Sequence, residues 1–230
     1  MSKQNDVKEQ NAFLGQGWED FDQLAPQIEE DIKENEAKRI YRHWLAPEND
    51  AILVFLDGKP PIVSEHQVQI NGDWKNWFTC TTATHGRCPL CESGSKPETV
   101  GFFTVIDMKP FVTTAGEERV NTRRLLPAKY SLLKKLRLML QEHGDLRGCV
   151  FNVTRTSSKA VNTGDKWEFV RRMTEEELAT LNENVEPADY QSILAVKSPE
   201  EIEKALAAPP VQNRNTGAGS FKAKDEDIDF

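Results

Sequence analysis

Ile62-Val-Ser-Glu-His-Gln-Val-Gln-Ile-Asn-Gly-Asp-Trp-Lys-Asn-Trp-Phe-Thr-Cys80 is the stretch whose reading decides the fold. Ile62, His66, Val68 and Ile70 share one parity, the alternation of a half-buried strand. Asn71-Gly72 is the strongest short hairpin signal, because both residues accept the positive φ of a two-residue turn. Residues 74–80 follow as the return strand. There Lys75 and Trp77 lie on one face, a cation beside a ring, while Trp74 and Phe78 on the other suit a core.

Working outward, Ala51-Ile-Leu-Val-Phe-Leu56 is an apolar run closed by Asp57-Gly58 and Pro60-Pro61. Residues 100–106, 120–126, 149–154 and 167–172 read as further strands, and Thr163-Gly164-Asp165 marks the turn before the last. One helix interrupts them over 130–143. Leu132, Leu133, Leu136, Met139 and Leu140 form its apolar stripe, Lys134, Lys135 and Arg137 lie off it, and Gly144 caps its end. Strands, a single helix, then more strands predict a mainly β protein built on an OB-fold-like barrel, with the cysteine-bearing loop inserted as a zinc knuckle.

Thr174-Glu-Glu-Glu177 and Ser198-Pro-Glu-Glu201 are capping boxes that open two short C-terminal helices, the second ended by Pro209-Pro210. Four segments result. Residues 1–37 are an acidic arm with a sticky patch at Phe13, Leu14, Trp18 and Phe21, helical around 27–37. Residues 38–173 are the barrel core, and 174–208 a short helical segment. Residues 209–230 are a flexible linker and a disordered acidic tail. No internal repeat is visible.

No apolar run approaches the roughly 18 residues of a membrane span, and the first ten residues lack a signal-peptide core, so an intracellular protein without a membrane partner is expected. In a reducing compartment the four cysteines read as metal ligands or buried thiols, not disulfides. The net charge of −8 hides an uneven distribution. Residues 36–172 carry 21 Lys and Arg against 15 Asp and Glu; the rest of the chain carries 8 against 22. A basic middle between acidic ends can take a polyanion.

Cys88-Pro89-Leu90-Cys91 places two thiolates where one turn can grip a tetrahedral ion, and Cys80 precedes it by eight positions. The fourth ligand is His66, on the apolar parity of its strand, or His85, in the nearby loop. Zinc is the metal this donor set suits, in a structural role. Cys149 shares parity with Phe151 and Val153 and reads as a buried thiol. No phosphate-binding P-loop, zinc-protease helix or nucleophile elbow occurs, and no acidic pair has acid–base spacing, so no enzyme is expected.

A histidine on a strand, a cysteine ending the next, then C-P-x-C resembles the zinc element of phage single-stranded DNA-binding proteins with an OB-fold core. The spacing is His66-x13-Cys80-x7-Cys88-x2-Cys91. Glu65-His66, Asn71-Gly72, Trp77-Phe78-Thr79-Cys80 and Thr104-Val105-Ile106-Asp107 look like that family too, over residues 41–172. The likeness favours His66 over His85. The tip Asp225-Glu226-Asp227-Ile228-Asp229-Phe230 resembles the tail by which such proteins recruit replication and recombination partners. The resemblance implies a protein of the infected bacterial cytoplasm that coats single-stranded DNA in phage replication, recombination and repair. The arm departs from the pattern: it is acidic where such proteins often carry a basic one.

Single strands are held by bases stacked on rings and phosphates met by cations. The candidate contacts are Tyr41, Arg42, Trp44, Lys75, Trp77, Arg87, Phe103, Lys109, Arg123 and Arg124. A zinc-stabilised RNA-binding module and a thiol oxidoreductase using Cys88 and Cys91 are the alternatives. Oligomeric state leaves no mark in the sequence.

Overall fold

The computed structural model of the protein describes residues 40–112, 116 and 118–207, together with 18, 21–22, 24–28 and 30. Its elements run β1 (Tyr41–Arg42), β2 (Asp50–Phe55), β3 (Ile62–Ile70), β4 (Asp73–Thr79), α1 (Thr82–His85), α2 (Pro89–Glu92), β5 (Glu98–Asp107), β6 (Phe111–Val112), β7 (Glu118–Arg119), β8 (Thr122–Lys129), α3 (Tyr130–His143), β9 (Cys149–Thr154), β10 (Lys166–Arg172), α4 (Glu175–Ala179), α5 (Tyr190–Ile193) and α6 (Pro199–Ala207). The chain divides into two compact units, Met1–Val63 with Thr99–Ile193 and Ser64–Glu98 with Leu194–Phe230.

The first unit is a strand-rich sheet in the order β1-β8-β5-β2-β9-β10. After helix α3, β9 returns to pair antiparallel with β2 instead of β8. In the resulting order β9-β2-β5-β8, the strand that follows α3 lies beside β2. The apolar run at residues 51–56 is continuous because both faces of β2 are covered. Ala51, Leu53 and Phe55 enter one core with Phe103, Phe151 and Trp167; Val54 and Leu56 enter a second with Ile106, Val150 and Leu178. Rings of the first core meet at tilted or edge-on angles, Phe55 with Phe103 at 5.3 Å and with Phe151 at 5.5 Å.

Helix α3 seals the first core with Leu132 and Leu136 buried, and Leu133, Met139 and Leu140 packed against it. Gly144, at φ +77°, ends it by donating its N–H to Leu140 O at 2.8 Å. Thr174 and Glu177 close their capping box reciprocally. Beyond α4, Tyr190 donates to the buried Asp57 carboxylate, which also accepts the Thr104 N–H at 3.1 Å. Burial holds the Asp57 carboxyl above its usual range despite these bonds.

Two expectations are corrected. The fold is mixed α/β, and among the described residues its sheet is open, not a closed barrel. The free edge of β8, at Arg124 and Leu125, is occupied by β1 running parallel to it. Trp74 does not join a core: it is 56% exposed, next to a register irregularity of the hairpin between Val68 and Ile70 that breaks the alternation.

The second unit contains the β3–β4 hairpin, turning at Asn71 (φ 54°) and Gly72 (φ 86°). Its core is small: Phe78, Cys88, Leu90 and Ile202, with Val68, Ile70, Cys80 and Ala205 alongside. Ile202 comes from α6, opened by the Ser198–Glu201 box. No helix among the described residues is long and apolar enough to cross a membrane. The linker and tail lie outside the described residues, as do residues 31–37 of the helix expected in the arm.

Candidate metal centre and nucleic-acid interface

Strand parity sends His66 inward, where it is fully buried opposite Phe78. Cys80 ends the return strand and donates its backbone N–H to Ser64 O at 2.7 Å. The loop between Cys80 and the knuckle is tied by Thr81, whose buried hydroxyl donates to Arg87 O at 2.6 Å. Cys88 is in extended conformation at the N-cap of α2; Pro89, with its φ preset for a helix, begins the turn that carries Cys91 back to the same side.

The donor atoms of His66, Cys80, Cys88 and Cys91 all lie within 4.8 Å of one another. His66 Nε2 is 3.6 Å from Cys88 Sγ and 3.5 Å from Cys91 Sγ, and the Cys80 and Cys91 sulfurs are 3.6 Å apart. A tetrahedral zinc with ordinary bond lengths needs N···S edges of about 3.5 Å and S···S edges of about 3.8 Å. Three of the six edges therefore already have the required lengths. His85, the other candidate, ends α1 and is not in the group.

The electrostatics agree. Burial pushes the Cys88 thiol up, but hydrogen bonds from Thr81, Cys91 and Leu90 outweigh it and leave it at about 7. Desolvation and the neighbouring Cys80 and Cys88 sulfurs push Cys91 up to about 11. Burial holds His66 below its ordinary value, so its ring is neutral and ready to ligate. Crowded sulfurs that resist ionising together are what a divalent cation relieves. Cys149 stands apart, buried and pushed up by that burial.

The candidate nucleic-acid contacts divide. In the first unit Tyr41 and Trp44 are exposed, 48% and 60%. Arg42 lies over the Phe102 ring at 5.0 Å, and Arg124 over Phe111 at 4.8 Å. Lys109 pairs with Asp50, and Arg123 donates to Glu186 O. Phe103 is a correction: strand pleating turns it into the first core, so it offers no stacking face. In the second unit Lys75 is exposed, Trp77 half-buried, and Arg87 pairs with Glu203 and Glu92.

Sequence reading missed a groove of about 510 Å³ between α3 and the β9–β10 loop, lined by Lys135, Lys159, Ser157, Val161 and Trp167 among others. Buried Arg155 stiffens that loop by donating to the carbonyls of Leu45, Ser158 and Ala160. Only the lysines on α3 hinted at it. No family model matches the chain, and comparison with curated proteins finds no match.

Proposed function

We propose that this protein binds single-stranded DNA without sequence preference, and that its four-donor group holds a structural zinc. The convergence of His66, Cys80, Cys88 and Cys91 carries the reading. Four protein donors fill a tetrahedral ion and leave no position for substrate, so a bound zinc would cross-link the second unit and do no chemistry. A redox use of Cys88 and Cys91 would leave the approach of Cys80 and His66 unexplained.

The return of β9 to β2 after helix α3 supports an open, OB-like reading of the first unit. The exposed rings Tyr41 and Trp44, the Arg42 and Arg124 cations on the paired strands β1 and β8, and the basic balance of residues 36–172 support a strand path on that unit. The resemblance to phage single-stranded DNA-binding proteins is what supports a role in replication, recombination and repair. Residues 225–230 then recruit partner proteins through their carboxylates and the terminal Phe230, and return to the basic surface when no DNA occupies it.

Titration with oligo-dT, matched oligo-rU and duplex at two salt concentrations, with metal analysis of the same sample, tests the reading. Tight binding to dT, weakening steeply with salt and accompanied by one zinc per chain, is expected. Preference for rU would move the reading to an RNA-binding module; equal affinity for duplex would remove the stacking argument.

A further inference from the structure

Two observations in the second unit converge on a residue outside the donor set. The first is at His66, whose two ring nitrogens face different partners. Nε2 faces the Cys88 and Cys91 sulfurs, and Nδ1 lies 3.0 Å from Ser95 Oγ. A histidine that ligates through one nitrogen carries its proton on the other, and what accepts that proton fixes both tautomer and ring orientation.

The second observation is how Ser95 reaches His66, 29 residues away in sequence. Helix α2 ends in a Schellman turn. Gly94, at φ +88°, donates its N–H to Cys91 O at 3.0 Å, and Ser95 donates its own to Leu90 O at 2.9 Å. This is the paired bonding of that motif, with glycine at the left-handed position. The reversal folds Ser95 back over the turn that carries Cys88 and Cys91. Ser93 tightens it, donating from Oγ to Leu90 O at 2.8 Å.

We propose that Ser95 is the positioning residue of the metal centre. It accepts the Nδ1–H of His66 and holds Nε2 toward the three sulfurs. Cys88-Pro-Leu-Cys-Glu-Ser-Gly-Ser95 is thus one eight-residue device that supplies two ligands and orients a third from a distant strand. Its glycine is there for the left-handed turn: a side chain at Gly94 would meet no atom within 4 Å, so only its backbone conformation demands glycine. The inference rests on the metal reading above, and the test separates the two.

Zinc affinity is measured on the full chain by competition with a coloured chelator, for the unaltered protein, Ser95→Ala, Ser95→Thr and Gly94→Ala. Melting temperatures are recorded with and without zinc, and the His66 ring nitrogens are observed by NMR. Ser95→Ala should weaken zinc binding on the order of 10–100-fold, while Ser95→Thr retains most of it. Gly94→Ala should weaken it in the same direction with every ligand intact. Ser95→Ala should lower the melting temperature of the zinc-loaded protein and leave the metal-free one unchanged. NMR should show Nδ1 protonated when zinc is bound. Unchanged zinc affinity in Ser95→Ala, equal destabilisation of both forms, or an unprotonated Nδ1 would overturn the role of Ser95 alone. Failure of the unaltered protein to bind zinc would overturn the metal reading and this inference with it.

Discussion

The two units of this protein are held together by different means. The first has a double-faced sheet: β2 buries side chains on both faces, and Phe55, Phe103, Phe151 and Trp167 interlock in one core. The second has a fully enclosed core of three apolar side chains and a cysteine, and that cysteine is a candidate ligand. A cluster of that size buries too little apolar surface to offset the entropy of ordering its chain. A structural metal supplies the missing stabilisation in small units of this kind. The proposed zinc would thus make the second unit dependent on a bound ion, where the first is held by its own core.

Truncating the aromatic core should give the largest effect. Phe151→Ala should destabilise the first unit by about 3–5 kcal/mol, equally with and without zinc, as read from denaturant midpoints. If zinc masked the loss, the units would not differ as described. Ile202→Ala should cost the second unit about 2–5 kcal/mol by the same cavity argument, since Ile202 is fully enclosed beside Cys88 and Leu90. Here zinc should restore part of the loss, seen as recovery of the midpoint on adding metal.

Acid should act on the first unit through His43. Burial, then repulsion from Arg124, holds its pKa at about 4, and its Nε2 has no hydrogen-bond partner among the described residues. The unfolded chain takes up this proton first, near pH 6.5. The stabilisation is therefore full above about 6.5 and lost as pH falls toward about 4, a change of up to about 3 kcal/mol. Unfolding of the unaltered protein against His43→Gln across that window checks it: the variant should lack this part of the acid slope.

The smallest effect compares rings on the two units. Trp44→Ala should weaken oligo-dT binding by about 1–3 kcal/mol if a base stacks on it. Trp77→Ala, half-buried in the second unit, should cost less. The reverse order would move the strand path to the unit that carries the four-donor group.

Local signals in the sequence were strong where one interaction dominates. Asn71-Gly72 marks its turn through backbone conformation alone, the stripe in α3 marks its buried face, and Thr174 with Glu177 marks a helix start. The three cysteines of the donor set were legible from their spacing, whereas strand parity left His66 and His85 both open and the family resemblance favoured His66, which is the one in the group. What was not legible depends on distant chain. β1 pairs parallel with the β8 edge of the open sheet, and no local pattern in Tyr41 and Arg42 announces it. Strand alternation alone does not say that Phe103 packs into a core with α3, nor that its neighbour Phe102 is buried as well. Arg87 looked available to phosphate until α6 supplied Glu203. Nothing in the sequence singles out Ser95, which reaches His66 only through the Schellman reversal after α2.

The most direct test of the central claim is hydrogen exchange of the full chain, zinc-loaded and chelated, with native mass spectrometry counting the metal. One zinc per chain is predicted. Removing it should strip protection from residues 64–98 and 199–207, while the amides of β2 over residues 50–55 and of β5, β8 and β9 over residues 99–154 keep theirs. Absence of metal from a protein whose second unit is fully protected, or an equal loss of protection in both units on chelation, would contradict the account.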